Sequence, residues 1–419
     1  MPVDLSADVV VVGGGPAGMA AALSAWENGA AQVILLERGK HLGGILNQCI
    51  HPGFGLNVFG KELTGPEYAE EYQAKLENTG VEVMTGTTAL NATPDRTIRA
   101  VNRQGVHTIR AHSVILAMGC REKTRDMLLI PGSRPAGVLT AGLAQYLINV
   151  EGFLPGTKVV ILGSGDIGLI VARRLMLEGV RVQAVVEIRD SLSGLVRNYV
   201  QCLLDFDIPL LFSHTITQIH GKDRVNGITL SRVNRDWIPI PGTEKDLECD
   251  TVLLSVGLIP ENELSRKAGI PIYGASGGPF VDESFQTEIP GYYACGNVSA
   301  VFDLVDYVSI VSERAGRRAA EFAPQGSVRY TLHRAASVRL VIPQIIRSME
   351  EGDLFIRPSI ALADGVVRLI HRDEAFFQRR IPVCRPSEMI RLDIATIPWP
   401  DKGGPVYVDI RGKAIEGIS

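Results

Sequence analysis

Two windows of this chain repeat one pattern of apolar and polar positions. Val9–Val12 and Val159–Leu162 are continuous apolar runs, the pattern of strands buried on both faces of a parallel sheet. Each run stops at a cluster of glycines. Helical sequence rich in Ala or Leu follows, Met19–Trp26 and Leu169–Leu177, and then a glycine able to end the helix, Gly29 or Gly179. A second apolar strand closes each window, Val33–Leu36 and Val182–Val186. The periodicity therefore predicts a strand–helix–strand unit twice. Between and beyond them, HSVILAMGC (His112–Cys120) reads as a strand ending in glycine. The segment Thr287–Phe322 reads as strand, glycine turn and a long helix rich in small residues, starting near Leu304 or Val305. From Val328 the pattern changes. RLVIPQII, DLFIRPSIAL, GVVRLIH and PVYVDIR are short runs broken by Gly, Pro and charged residues, and they predict a small strand-rich domain.

Laid over each other without a gap, the two windows match Gly13 to Gly163, Gly15 to Gly165, Gly18 to Gly168 and Glu37 to Glu187. In such a loop the first glycine permits a tight turn and the second lets the backbone approach a pyrophosphate. The third lets helix and strand pack closely, so that phosphate sits on the free N–H groups of a helix N-terminus. Gly13, Gly15, Pro16, Ala17 and Gly18 are the candidate phosphate cradle of the first unit. Gly163, Ser164, Gly165, Asp166, Ile167 and Gly168 are that of the second. Glu37 and Glu187 each lie 19 residues past the third glycine, where a carboxylate can accept hydrogen bonds from both ribose hydroxyls of an adenosine. Two adenine dinucleotides are expected. Glu187 favours NAD over NADP because it would repel a phosphate on the ribose. Arg189, two positions on, either pairs with such a phosphate or is a solvated surface residue.

Composition narrows the class. The chain has 419 residues, 46% of them hydrophobic, and 44 glycines, which suits a soluble α/β protein of two or three domains. A net charge of −4 without a long basic run argues against nucleic acid as a partner. The start, MPVDLSAD, has no apolar signal core, and no apolar stretch is of membrane-spanning length, so a cytoplasmic location is expected. The six cysteines are scattered, the closest pair 46 residues apart. Neither they nor the eight histidines have metal-ligand spacing, and no bound metal is expected.

The two units, the glycine-ended strand between them and the late YACGN turn resemble the two-dinucleotide-binding flavoproteins of the pyridine nucleotide-disulfide oxidoreductase superfamily, over about residues 5–325. The resemblance implies an α/β fold with two Rossmann-like domains, the NAD(H) domain (121–280) inserted in the FAD domain (1–120 and 281–326), followed by the β-rich domain (327–419). It implies FAD at the first unit and NAD(H) at the second. Arg38, Gly44, Asn47 and Gly119 complete the candidate FAD set, and Gly257, in the closing turn LLSVGLIPEN, joins the NAD(H) set. Gly296 would lie against the flavin's pyrophosphate and ribityl chain. Asn297 stands where the superfamily usually has Asp bonded to a ribityl hydroxyl; an amide can still accept, and also donate. The helix near Leu304 would aim its positive end at the flavin's pyrimidine, with Asp303 and Asp306 read as helix caps.

The superfamily's disulfide enzymes carry a redox cysteine pair in a GGxCxxxxCxPxK pattern. Here GGILNQCIHPGFG keeps one cysteine, Cys49. Gly53 replaces the flavin-contacting lysine and Ile170 its glutamate partner; both members of that buried charge pair are absent together, as a lone buried charge would be costly. Disulfide reductase activity is not expected. Cys49 is the one candidate catalytic residue, as in single-cysteine NADH oxidases and peroxidases; the bland alternative is a small residue packed on the cofactor.

A second stretch, IPGSRPAGVLTAGLAQ (Ile130–Gln145), looks like disulfide-free flavoproteins related to the dinucleotide-binding subunits of sarcosine oxidase, cyanide synthase and amino-acid dehydrogenase complexes. GGILNQCIHPGFG and CGN…DLVDYVS look most like the flavoprotein that accompanies anaerobic glycerol-3-phosphate dehydrogenases in bacteria. That resemblance implies hydride exchange between NAD(H) and FAD beside a partner subunit that oxidises the substrate. A stand-alone NADH oxidase or peroxidase, and a non-catalytic nucleotide-binding scaffold, are the alternatives. The C-terminal domain is either a packing cap or self-association surface, or a dock for the partner subunit.

Overall fold

The computed structural model describes residues 3–322 and 324–415. It divides into two compact units: the chain up to Cys120 together with Pro260–Ile415, and Arg121–Ile259.

In the first unit the run Val9–Val12 is the end of a central strand, Val3–Val12. Parallel strands flank it on both sides, Val33–Leu36 and Gly105–Leu116, with Glu82–Met84 outside the former. Val9, Val10 and Val11 are completely buried because helices cover the sheet, which explains the unbroken apolar run. Strand Gly105–Leu116 divides its outer edge: its first half pairs antiparallel with Thr97–Asn102, and its last three residues pair parallel with Tyr292–Ala294. The late segment thereby returns to the first sheet. Its helix, Val305–Glu321, then packs on Pro16–Glu27 so closely that a Cβ on Gly316 would lie 2.2 Å from Ala21 O.

The second unit has a five-stranded parallel sheet in the order Val138–Thr140, Thr251–Leu254, Lys158–Leu162, Arg181–Val186, Leu210–Leu211. A three-stranded antiparallel sheet accompanies it, His214–Gly221, Val225–Arg232 and Lys245–Leu247. The unit ends at Ile259, earlier than the boundary of 280 expected from sequence. Leu264, Ala268 and Ile270 enter the core of the first unit, and Asn262 Nδ2 donates to Gly277 O (3.0 Å) and Val298 O (2.9 Å). These contacts fix residues 260–280 to the first unit.

The C-terminal region is β-rich, as expected. A five-stranded sheet (Ile345–Ile346, Tyr330–Arg334, Gly404–Ala414, Leu362–His371, Glu374–Cys384) faces a three-stranded one (Val338–Ile342, Asp353–Pro358, Ile390–Asp393). Leu332, Val341, Leu354, Val367, Leu392 and Val408 share one core between them. Glu374–Cys384, read over in the sequence, is an edge strand whose EAFFQRRIPVC pattern carries its polar residues outward. Within the same unit the region is also tied to the segments that precede it. Asp353 accepts from Arg314 of the long helix (2.9 Å) and from Arg391 (2.7 Å), while Glu283 accepts the backbone N–H groups of Arg347 and Ser348, both at 2.9 Å.

Asp282, at the same seam, is 3% exposed. Burial, and then the neighbouring Glu283, push its carboxyl from the usual 3.8 up to about 7, against the pull of hydrogen bonds from the Gln286 and Ser284 amides and of Arg347. Between about 3.8 and about 7 the folded chain holds a proton that the unfolded chain releases, so stability should fall as pH rises through that window. Asp282→Asn, which keeps the acceptor oxygen, should flatten this slope in thermal melts at pH 5 and pH 8. An unchanged slope would place the proton elsewhere.

No helix among the described residues is long and apolar enough to cross a membrane.

Candidate functional site

The glycine positions divide by role as their spacing predicts. Gly13 has φ +110°, and a Cβ there would lie 2.4 Å from Ala117 O. Gly163 has φ +102°, with Ser255 O at 2.1 Å from the same point. The third glycines are closed by packing: a Cβ would lie 1.7 Å from Gly13 O at Gly18, and 2.8 Å from Gly163 O at Gly168. The middle glycines are open. Around Gly15 the nearest atom to a built Cβ is Gly44 Cα at 3.9 Å, and around Gly165 it is Ser255 Oγ at 3.7 Å. Each opens at the N-terminus of a helix, Pro16–Glu27 or Asp166–Leu177, where unpaired N–H groups and the helix dipole suit a pyrophosphate.

The acids complete the same frame in both copies, bond for bond at an offset of 150 residues. Gly14 N donates to Glu37 Oε2 (2.7 Å) and Gly39 N to Oε1 (2.5 Å). In the second copy Ser164 N donates to Glu187 Oε2 (2.9 Å) and Arg189 N to Oε1 (3.0 Å). Even the strand-end bonds repeat, Gly13 N to Leu36 O at 2.8 Å and Gly163 N to Val186 O at 2.7 Å. One difference separates the copies. The Ser164 and Ser193 hydroxyls also donate to Glu187 Oε2, at 2.5 and 2.9 Å, so Glu187 is 4% exposed whereas Glu37 is half-buried. Ser193 was not legible as a site residue by motif. It corresponds to Gly43 at the same offset, which is the signal that could have found it.

The loop after each acid leans on its glycine turn. Gly43 N donates to Gly14 O (2.9 Å), and a Cβ on Gly44 would lie 3.0 Å from Gly15 Cα. In the second copy Asp166 Oδ1 accepts Leu195 N (2.8 Å) and Asn198 Nδ2 (2.7 Å), so Asp166 holds the loop. Asn47 donates to Leu42 O at 2.9 Å and fixes its own loop. Arg38 is exposed and Ile167 half-buried.

Gly296 has φ +69° and abuts Ala17, with a built Cβ 2.7 Å from the Ala17 Cβ. This brings the late turn to the first phosphate cradle. Asn297 Oδ1 accepts Phe302 N at 3.0 Å and its Nδ2 lies 3.7 Å from Cys120 Sγ. Gly119, at φ +70°, has open space where a Cβ would stand. Gly257, at φ +110°, accepts Lys123 N at 3.1 Å in the second unit. The late helix begins at Val305 without a side-chain cap, which corrects the capping roles read for Asp303 and Asp306. Asp303 accepts Met389 N (2.9 Å) and Asp306 accepts Gly55 N (3.3 Å); donors from neighbouring segments have captured both carboxylates, and the helix's first N–H groups remain available to a ligand.

Cys49 is half-buried, with Sγ donating to Ile45 O at 3.3 Å. Burial pushes its thiol up to about 12. A thiol held up in this way is less readily ionised, and so less nucleophilic, than a free one. His51 Nδ1 faces Pro52 O at 3.0 Å.

Together these features define a protein with two glycine-turn frames of the Rossmann kind, one in each compact unit. The chain belongs to the pyridine nucleotide-disulphide oxidoreductase family, which it matches over residues 7–325, and whose members bind FAD and NAD(P)H. The HcnB subunit of the hydrogen cyanide synthase of Pseudomonas protegens is 28% identical over 290 residues, 64% of this chain and 60% of that protein; the match spans less than two thirds of the relative's length. An opine oxidase subunit of Rhizobium meliloti is 24% identical over 319 residues, 70% of this chain and 67% of that one. Thioredoxin reductase of T. acidophilum shares the fold, with a TM-score of 0.60 at 23% identity over 75% of this chain and 98% of its own.

Proposed function

We propose that the chain is an FAD-dependent oxidoreductase that passes hydride between NAD(H) and FAD, as the electron-transfer subunit of a glycerol-3-phosphate-dehydrogenase-type system in the cytoplasm. The observation that carries this reading is the duplicated frame itself: two cradles with the same pattern of backbone hydrogen bonds to the acid, one with a half-buried acid and one with an acid enclosed by two hydroxyls. FAD belongs at Gly13, Gly15, Gly18 and Glu37, where Gly296 adds a third segment. NAD(H) belongs at Gly163, Gly165, Gly168 and Glu187. There the ribose must compete with Ser164 and Ser193 for the carboxylate, which suits a nucleotide that comes and goes.

The two cofactors supply the hydride chemistry when bound. The chain's own work is to bind and orient. Backbone N–H groups at Pro16–Glu27 and Asp166–Leu177 hold the pyrophosphates, and Glu37 and Glu187 hold the riboses. The uncapped start of Val305–Glu321 offers positive potential to an anionic ring. Cys49, a neutral thiol, takes no covalent step. The six cysteines are all unbridged, in keeping with a reducing compartment. A substrate-oxidising partner subunit is supported by IPGSRPAGVLTAGLAQ and by two relatives that are themselves named as subunits.

The test is an anaerobic spectrum of the purified protein with its flavin. NADH should bleach it, and admitted air should restore it slowly; Cys49→Ser should change neither. Fast reoxidation with peroxide turnover lost in Cys49→Ser would establish the stand-alone oxidase or peroxidase, and bound flavin that never bleaches would establish the scaffold.

A further inference from the structure

Beyond the acid of the second cradle lies an aromatic side chain that the dinucleotide motif does not account for. Trp237 is 53% exposed and sits at φ +62°. It lies in a tight turn where Trp237 N donates to Asn234 O (3.0 Å) and Ile238 N to Asn234 Oδ1 (2.9 Å). The turn is tied to the end of the acid's strand: Val233 N donates to Ser213 O and Ser213 N to Arg189 O, both at 2.8 Å. The Arg189 guanidinium lies over the indole, 5.9 Å from the ring centroid, and no ion pair of Arg189 occurs among the described residues. Its backbone N–H meanwhile donates to Glu187 Oε1 at 3.0 Å. Arg189 thus links an exposed indole, through its guanidinium, to the buried carboxylate of Glu187, through its backbone N–H.

We infer that Trp237 and Arg189 form the platform for the adenine ring of the nucleotide held at Glu187. An adenine joined to a ribose at Glu187 extends over the residues that follow the acid. A guanidinium steadied by one aromatic face presents its other face to a purine, and both groups stack on bases without needing base-specific hydrogen bonds. This role also answers the question that Arg189 posed in the sequence: its charge is engaged with the indole and is neither simply solvated nor paired with a carboxylate.

The inference rests on the reading that the second cradle binds a dinucleotide, and the test separates the two. The full chain also carries Trp26 and Trp399, and Trp237→Ala would remove any Trp237 signal, so ADP-ribose affinity is read by calorimetric titration and NADH affinity by flavin bleaching, in wild type and variants alike. With the flavin-loaded, anaerobic full chain, ADP-ribose and NADH should both bind. Trp237→Ala should weaken both by roughly five- to tenfold, while Trp237→Phe should retain most of the affinity. Reduced nicotinamide mononucleotide, which lacks the adenosine half, should bind and bleach flavin equally in wild type and Trp237→Ala. Equal weakening of the mononucleotide would make the effect merely structural and overturn the platform, as would unchanged ADP-ribose affinity in a folded Trp237→Ala. If wild type binds neither ADP-ribose nor NADH, the second-cradle reading falls, and the platform with it.

Discussion

Gly18→Ala should yield no soluble, flavin-loaded protein. The added methyl would lie 1.7 Å from Gly13 O, a backbone atom that cannot move aside because Gly13 N is bonded to Leu36 O at 2.8 Å and its own Cβ position is closed by Ala117 O. Helix Pro16–Glu27 would have to lift from the central strand. That movement would open the Gly316–Ala21 contact with the late helix as well. Overpacking in a core that can adjust costs about 1–3 kcal/mol, and a methyl against fixed backbone should exceed this, against a typical total stability of about 5–15 kcal/mol. Expression, soluble yield and thermal melting read the result. A Gly18→Ala protein that is soluble and melts like wild type would show that the helix can shift freely, which the geometry denies.

Gly165→Val should do the opposite: fold normally, keep its flavin and lose reduction by NADH. Nothing lies closer than 3.7 Å to a Cβ at this position, and φ is −67°, so the native backbone accepts a side chain. What the valine methyls would fill is the space in front of the N–H groups of Asp166–Leu177. Losing one or two charge-assisted hydrogen bonds, each about 1.5–3 kcal/mol, corresponds to a loss of nucleotide affinity of at least roughly tenfold, and of about a hundredfold or more when approach is blocked outright. NADH titration of the anaerobic flavin spectrum measures it. If Gly165→Val is reduced at the wild-type rate, the pyrophosphate does not lie at this turn and the assignment of the second cradle fails. Together the two substitutions distinguish a glycine required for packing from one required for access, although the motif writes them with the same letter.

Local sequence made most of the two cradles legible. Their glycines, acids, strands and helices lie within about forty residues of each other, so each Rossmann-like unit is encoded in a contiguous window where periodicity can be read directly. Helix Val305–Glu321 was legible for the same reason. The capping roles of Asp303 and Asp306 were misread because proximity to a helix start is a local signal, whereas the groups that captured them, Met389 N and Gly55 N, come from distant segments. The second domain boundary shifted from 280 to 259 because Leu264, Ala268 and Ile270 are apolar residues that fit either core by composition.

By itself the sequence determined that there are two glycine-turn units of one pattern, each followed by an acid, and that the paired cysteines of related disulfide enzymes are missing. Each of these depends on residue identity at fixed short spacing, through steric closure at glycine and the hydrogen-bonding capacity of a carboxylate. The tertiary structure alone decided how the equivalent motifs differ. Two serine hydroxyls enclose Glu187 where Glu37 has glycines, burial holds Cys49 as a thiol, and a turn from a separate sheet sets Trp237 under Arg189. These features arise where segments distant in sequence meet, because solvation and partnering of a polar group depend on what folds over it.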